Sequence, residues 1–321
     1  MILKIRIKER NKQKMKQNTL TKTPVVCALA ILCCVLWGSA TPSIKKGYEL
    51  FAIASNDTAA QILFAGMRFV LAGFLTILFG SIISRQVLVP KKGSIPSILK
   101  LALVQTVLQY VFFYIGHAHT SGVKAAIING SNVFIAILFA VFLFKYEKMT
   151  LVKLIGCIAG FAGIVIINLS GSGFDTSVSF AGEGAILISA AAYALSSGLI
   201  KKYSQSENPV VLSGYQFFTG GAVMCIAAFI AGGRVTGFTL ASTMLLIYLA
   251  LISAVAYTVW GILLKYNSVA KVTVFGFTNP IFGVILSAIF LGERGQAFGL
   301  QGIAALILVS FGIFIINKAK N

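Results

Sequence analysis

The sequence predicts an all-α integral membrane protein in which ten transmembrane helices form two inverted five-helix repeats, with both termini cytoplasmic. Three observations lead there. Apolar runs fill nearly the whole 321-residue chain, its two halves repeat one another at a nearly constant offset, and Lys and Arg concentrate on one side of the resulting topology.

Hydrophobic residues make up 58% of the chain and charged ones only 11%, with a mean hydropathy of +0.91, values far from those of soluble domains. The runs cover about 24–44, 59–83, 97–116, 124–144, 151–169, 184–203, 210–231, 243–264, 272–291 and 299–317. Each holds roughly 18 or more residues, enough for a helix to cross a hydrocarbon core of about 30 Å. Short loops separate them, so no soluble catalytic or binding domain fits between. The expected organisation is a basic cytoplasmic arm (1–23), a first repeat (24–169), an external linker (170–183), a second repeat (184–317) and a cytoplasmic tail (318–321).

A formal charge of +19 would suit nucleic acid, but its distribution points to a lipid bilayer as the partner. With the N-terminus inside, eight basic residues fall in 1–22, and Arg85, Lys91, Lys92, Lys100, Lys145, Lys148, Lys153, Lys201, Lys202, Lys265, Lys271, Lys318 and Lys320 fall on the same side. Only Lys45, Lys46, Lys124, Arg234 and Arg294 fall outside. Cytoplasmic loops are enriched in Lys and Arg, which places both termini inside; the arm MILKIRIKERNKQKMKQ then lies against anionic headgroups. The first apolar run lacks the flanks of a cleaved signal peptide and is expected to remain, while Met15 offers an alternative start. Cys27, Cys33, Cys34, Cys157 and Cys225 lie inside helices with no metal spacing and read as packing residues. No cofactor is expected.

The repeat is carried by ordered matches. AGMRFVLAG (65–73) aligns with SGYQFFTGG (213–221), and WGSATPSIKK (37–46) with YALSSGLIKK (193–202). Tyr110, Ser121, Lys124 and Asn132 align with Tyr257, Ser268, Lys271 and Asn279, and Glu147 and Gly156 with Glu293 and Gly302. Five crossings are an odd number, so the second unit must enter the membrane upside down, the architecture of carriers that alternate about a midplane site. In the fourth helix Ala125, Asn129, Asn132, Ala136 and Ala140 form a small or polar face; Val272, Gly276, Asn279, Gly283 and Ser287 do so in the ninth. Small faces let helices approach closely in lipid. Pro280 should release the backbone bond to Gly276 and bend the ninth helix; the fourth has Val133 there, so the halves are expected to differ mechanically.

At these residues the chain resembles the EamA-type members of the drug/metabolite transporter superfamily, over 25–317: WGSATP in the first helix, RFVLAG in the second and NPIFGVILSAIFLGE ending the ninth. The resemblance implies a carrier of small organic metabolites such as amino acids, an exporter or facilitator in the bacterial plasma membrane.

All eight acidic residues, Glu9, Glu49, Asp57, Glu147, Asp175, Glu183, Glu207 and Glu293, fall in loops or at helix ends. Buried carboxylates commonly relay protons or sodium, so facilitated diffusion or exchange is expected. Glu147 and Glu293 are expected to favour the start of the following helix, and His117 and His119 to sit near the outer interface. Lys45 and Lys46 either snorkel to headgroups or attract an anionic substrate. Trp37, Gln105, Gln109, Tyr110, Tyr193, Gln216, Tyr257 and Trp260 are expected to face the bundle, because donors unpaired in hydrocarbon are costly; these except Gln105, with Asn132, Asn279 and Arg68, are the candidate cavity residues. Arg68 aligns with the uncharged Gln216; it either bonds helix carbonyls or binds a substrate carboxylate or phosphate. An enzyme is disfavoured: clustered metal-binding aspartates are missing, and LSGSG (169–173) has no matching histidine. A non-transporting membrane regulator is the remaining alternative.

Overall fold

The computed structural model describes residues 19–168, 179–292 and 299–318. Residues 1–18, 169–178, 293–298 and 319–321 lie outside the described residues, and with them the expectations for most of the basic arm and linker, Asp175, Glu293 and the tail. The described chain is helical: α1 (Thr23–Leu50), α2 (Thr58–Ser84), α3 (Lys92–His119), α4 (Gly122–Asn129 and Asn132–Leu143), α5 (Leu151–Asn168), α6 (Phe180–Tyr203), α7 (Pro209–Ile230), α8 (Leu240–Tyr266), α9 (Val269–Thr273, a 3-10 stretch Val274–Phe277, and Thr278–Phe290) and α10 (Leu300–Lys318). Among the described residues six of these are long and apolar enough to cross a membrane, α1, α2, α3, α6, α7 and α8.

Local sequence sets the ends. Asp57 accepts from the Ala60 N–H at 2.9 Å, and Asn208 from the Val210 N–H at 3.0 Å with Pro209 opening α7, each satisfying a donor that a helix start leaves unpaired. Thr239 and Ser242 form a reciprocal capping box on α8. Large apolar side chains such as Phe74, Ile83, Ile230 and Phe311 point outward, as lipid contact requires.

The helices pack as a pseudo-twofold. α2 pairs with α7, α4 with α9 and α5 with α10; α1 packs on α8 and α9, and α6 on α3 and α4. Exchanging each helix for its counterpart five places along leaves these neighbours unchanged. At the centre Gly66 faces Gly221 and Cys225, Gly73 faces Gly214 and Phe218, and Gly80 faces Val210. Positions rise on α2 as they fall on α7, so the two helices run antiparallel. A Cβ on Gly73 would lie 2.4 Å from the Phe218 nitrogen, and one on Gly221 would lie 2.6 Å from the Val70 nitrogen. Only glycine allows this backbone approach.

Loop contacts sort onto two faces. On one, Lys91 Nζ donates to the Ser206 carbonyl (2.6 Å), Gln205 to the Lys265 carbonyl (3.3 Å), and Lys271 Nζ to the Thr21 carbonyl (2.9 Å). On the other, the Thr120 hydroxyl donates to Glu183 (2.9 Å) and the Phe51 ring meets Phe238 at 5.2 Å. On the first face Glu207 is 5% exposed. Burial raises its pKa, but hydrogen bonds from the Asn208 and Lys91 N–H groups and Ser94, with the charge of Lys91, outweigh that, so its carboxyl titrates below the ordinary value.

Two expectations are corrected. The fourth helix is not continuous: it breaks at Gly130–Ser131, in register with the 3-10 stretch of α9. Gly130 disfavours helix by about 1 kcal/mol relative to Ala and Ser131 competes for backbone bonds, so the interruption needs no proline. In α9 the Thr278 N–H turns back to the Gly276 carbonyl, replacing the donor that Pro280 lacks. Glu147 does not open the following helix. It accepts from the Ala270 N–H in the first turn of α9 (3.0 Å) and pairs with Lys153 at 3.1 Å, the two side chains 6% and 1% exposed.

Candidate functional site

Residues at equivalent repeat positions meet along the pseudo-axis. Phe69 packs on Phe217, its counterpart at an offset of 148, with ring centroids 5.3 Å apart. The Tyr110 and Tyr257 hydroxyls hydrogen-bond to each other, and Trp37 meets Tyr193 edge-on at 5.9 Å. Each aromatic contact contributes roughly 0.5–1.5 kcal/mol beyond burial. Beyond them lies a cavity of about 40 Å³, room for a few waters.

Eight of the ten candidate residues line it: Trp37, Arg68, Gln109, Tyr110, Asn132, Tyr193, Tyr257 and Asn279. The interruptions of α4 and α9 put Asn129, Asn132, Gly276 and Asn279 there, as broken helices do at carrier midplanes. A widened π-turn, Ala102–Leu108, directly precedes Gln109 and Tyr110 in α3; α8, its counterpart, is regular. Such turns recur at functional sites. Gln109 Nε2 donates to the Tyr257 hydroxyl at 3.1 Å, while its Oε1 and the Trp37 Nε1 are buried without a partner.

Two candidates lie off the cavity. Gln216 donates to Gln105, which donates to Ser196 at 3.0 Å, tying α7, α3 and α6 together. Trp260 stands behind Trp37, ring centroids 4.9 Å apart. Sequence reading missed Thr41, Phe113 and Asn129 in the wall, and Tyr114 and Ser253 as partners of Arg68. Thr41 lies four residues from Trp37, and Tyr114 four from Tyr110, so helical spacing carried that signal.

Arg68 is 1% exposed. Its Nε donates to the Leu249 carbonyl (3.0 Å) and the Ser253 hydroxyl (3.2 Å), Nη2 to Ser253 (2.9 Å) and Nη1 to the Tyr114 hydroxyl (3.1 Å). Its guanidinium carbon lies 5.2 Å from the Phe69 ring centre and 5.8 Å from that of Tyr110, within cation–π range.

The same faces of α1, α3 and α9 continue to a second chamber of about 430 Å³, lined by Lys45, Lys46, Tyr48, Glu49, His117 and Phe290 among others. Between the chambers stand Thr41, Phe113 and His117. His117 is 1% exposed, buried rather than interfacial: one ring nitrogen is 3.3 Å from the Thr41 hydroxyl, the other 2.8 Å from the Phe113 carbonyl. His119 is exposed. On the opposite face the equivalent place is filled. Phe144, which aligns with the Phe290–Leu291 step, sits so close to Gly198 that a Cβ there would be 2.1 Å from the ring. Tyr146 stacks on Phe144 at 5.2 Å and donates to the Gly198 carbonyl at 3.3 Å.

Lys45 Nζ donates to the Thr120 carbonyl at 2.9 Å and Lys201 Nζ to the Asn267 carbonyl at 2.7 Å. Both pairs are related by the repeat, and each cation closes the C-terminal end of a helix. Lys46 pairs with Glu49. Among the described residues no group of His, Cys, Asp and Glu comes together as a metal site would need.

The sequence profile of the EamA-like transporter family matches residues 25–169 and again 180–318. The chain belongs to this family. Two successive matches within one chain fit the two halves of the fold. Full-length relatives agree: the uncharacterized transporter YvbV of Bacillus subtilis is 27% identical over 96% of this chain and 95% of its own length. A probable amino-acid metabolite efflux pump of Escherichia coli is 26% identical over 89% and 93%. A probable terminal-alkyne amino-acid exporter of Streptantibioticus cattleyicolor is 24% identical over 90% and 92%. A solved crystal structure superimposes with a TM-score of 0.67 at 15% identity, covering 91% of this chain and 95% of that one, and establishes the shared fold. This EamA protein is a multi-pass membrane transporter of the drug/metabolite type.

Proposed function

We propose that this EamA transporter moves small organic metabolites such as amino acids outward across the plasma membrane by alternating access between its inverted repeats. All ten helical segments cross the bilayer and both termini are cytoplasmic. The observation that carries the reading is the unequal state of two equivalent places: the Lys45 face holds a chamber of about 430 Å³, while Phe144 and Tyr146 fill its counterpart against Gly198. An inverted repeat that is open at one end and closed at the other reaches its second state by exchanging the two conformations. The basic residues support the orientation. On this reading the face with Lys91, Lys145, Lys202 and Lys271 is cytoplasmic, the larger chamber faces outward and the Phe144–Tyr146 contact faces inward.

Two of the relatives carry the names probable amino-acid metabolite efflux pump and probable terminal-alkyne amino-acid exporter, and the donors and acceptors of the cavity, Gln109, Asn132, Tyr257 and Asn279, suit a small polar solute between aromatic walls. The eight cavity candidates are proposed as substrate contacts. Gln216 and Trp260 support them from behind. Counterflow of radiolabelled amino acids in proteoliposomes tests the reading. Accumulation of label against an unlabelled load is expected; no exchange of any amino acid or related metabolite, with folded protein in the liposomes, would overturn it.

A further inference from the structure

The repeat itself separates two jobs that Arg68 performs. Arg68 and its counterpart Gln216 each reach from the second helix of their own unit to the third helix of the other. Arg68 bonds Leu249 and Ser253 on α8, and Gln216 bonds Gln105 on α3. Gln216 makes that tie without a charge. Bridging helices therefore does not explain why position 68 holds a cation in a nearly inaccessible place.

The second difference between the two positions is the cavity. Arg68 lines it and Gln216 does not. A guanidinium has five N–H donors, and the three acceptors bonded to Arg68 (the Leu249 carbonyl, Ser253 and Tyr114) are all neutral. Among the described residues no carboxylate lines the cavity, and the ion pairs formed are Lys46 with Glu49, Lys124 with Glu183 and Lys153 with Glu147, none of which includes Arg68. A buried charge that lacks an opposite charge is costly to keep. Two residues of the same wall also carry buried groups without a hydrogen-bond partner, a donor on Trp37 (Nε1) and an acceptor on Gln109 (Oε1). A cationic solute would meet a fixed positive charge with nothing to balance it.

We infer that Arg68 is the counter-ion of a carboxylate on the transported compound, so that the carrier moves organic acids and zwitterions and rejects cations of the same shape. The carboxylate takes the guanidinium N–H groups, with Trp37 Nε1 as a further donor, and Gln109 Oε1 accepts from an ammonium or hydroxyl on the same molecule. The planar fork of arginine matches a carboxylate in two parallel bonds, a geometry lysine does not offer.

This inference rests on the transport reading, and the experiment separates the two. Leucine, its amide leucinamide and its deaminated analogue 4-methylpentanoate are compared as competitors of amino-acid counterflow in proteoliposomes, and as ligands that raise the melting temperature of the detergent-solubilised protein. Leucine and 4-methylpentanoate are expected to compete and stabilise, and leucinamide to be at least tenfold weaker in both. Arg68→Gln, which copies the neutral bridge of Gln216, is expected to fold and to lose the preference for acid over amide. Arg68→Lys is expected to keep the preference with weaker binding, and serves if the glutamine variant fails to fold. Leucinamide equal to leucine on the wild-type protein would overturn the carboxylate assignment while leaving transport intact. An unchanged acid-to-amide ratio in Arg68→Gln would overturn the role of Arg68. Absence of counterflow altogether would remove the transport reading beneath both.

Discussion

Replacing Gly73 by alanine strikes the seam that holds the two repeats together. The new Cβ would lie 2.4 Å from the Phe218 nitrogen and 2.6 Å from the Gly214 carbonyl oxygen, about 1 Å inside ordinary contact. Both are backbone atoms, so α2 and α7 must move apart. Overpacking with backbone shifts costs about 1–3 kcal/mol, and alanine returns about 1 kcal/mol of helix propensity, which leaves a net loss of about 2 kcal/mol near the upper end of that range. Gly214→Ala is a sharper comparison than wild type alone. Its Cβ would meet Ile77 Cγ1 at 2.6 Å, a side-chain atom that can turn away, so less than 1 kcal/mol is expected there. Gly93→Ala has nothing within 4 Å and should be neutral. Reversible denaturation in mixed micelles, followed by circular dichroism, ranks the three. Gly73→Ala as stable as Gly214→Ala or Gly93→Ala would refute the close antiparallel crossing.

Other consequences follow from named contacts. Glu147→Gln keeps an acceptor for the Ala270 N–H but removes the charge from a buried pair with Lys153; a loss of about 3 kcal/mol is expected, and a double-mutant cycle with Lys153→Gln should give a coupling above about 1 kcal/mol. Phe144→Ala takes the ring off Gly198 and should let solute leak through the end proposed as cytoplasmic, measured as efflux from loaded liposomes without exchange substrate. Wild-type-like tightness there would argue against a plug. Because the pKa of Glu207 is depressed in the folded protein, its ionised form contributes stability above the ordinary carboxylate range, lost as pH falls through the folded value. The melting temperature should therefore fall more steeply below about pH 4 in wild type than in Glu207→Gln, which starts lower at pH 7.

Much of this was legible in the sequence because lipid imposes strong rules on a chain. Every backbone donor in hydrocarbon must bond within its own helix, so apolar length alone located the helices to within a few residues. The offset between Tyr110 and Tyr257 announced the repeat, and the structure turns that alignment into a hydrogen bond. Phe69 and Phe217, at an offset of 148, lie in the aligned AGMRFVLAG and SGYQFFTGG segments, but alignment says which residues are equivalent and not which equivalents touch. Only those near the axis do. No proline marks the break in α4, where Gly130–Ser131 suffices. Gln216 is a cavity candidate beside Arg68 in the alignment, but its side chain turns to Gln105 on α3 and lies outside the lining. Glu147 could not be placed from sequence, since its partner Ala270 lies in the other repeat.

The central claim is that the two ends exchange states. Spin labels on a background without the five native cysteines, at Ser55 and Leu291 across the outer chamber and at Lys145 and Lys202 beside the Phe144 plug, report both ends by double electron–electron resonance. With substrate turning over, the outer distance should shorten in the same fraction of molecules in which the inner one lengthens. Two distances that stay fixed, or that widen together, would contradict alternating access between the repeats.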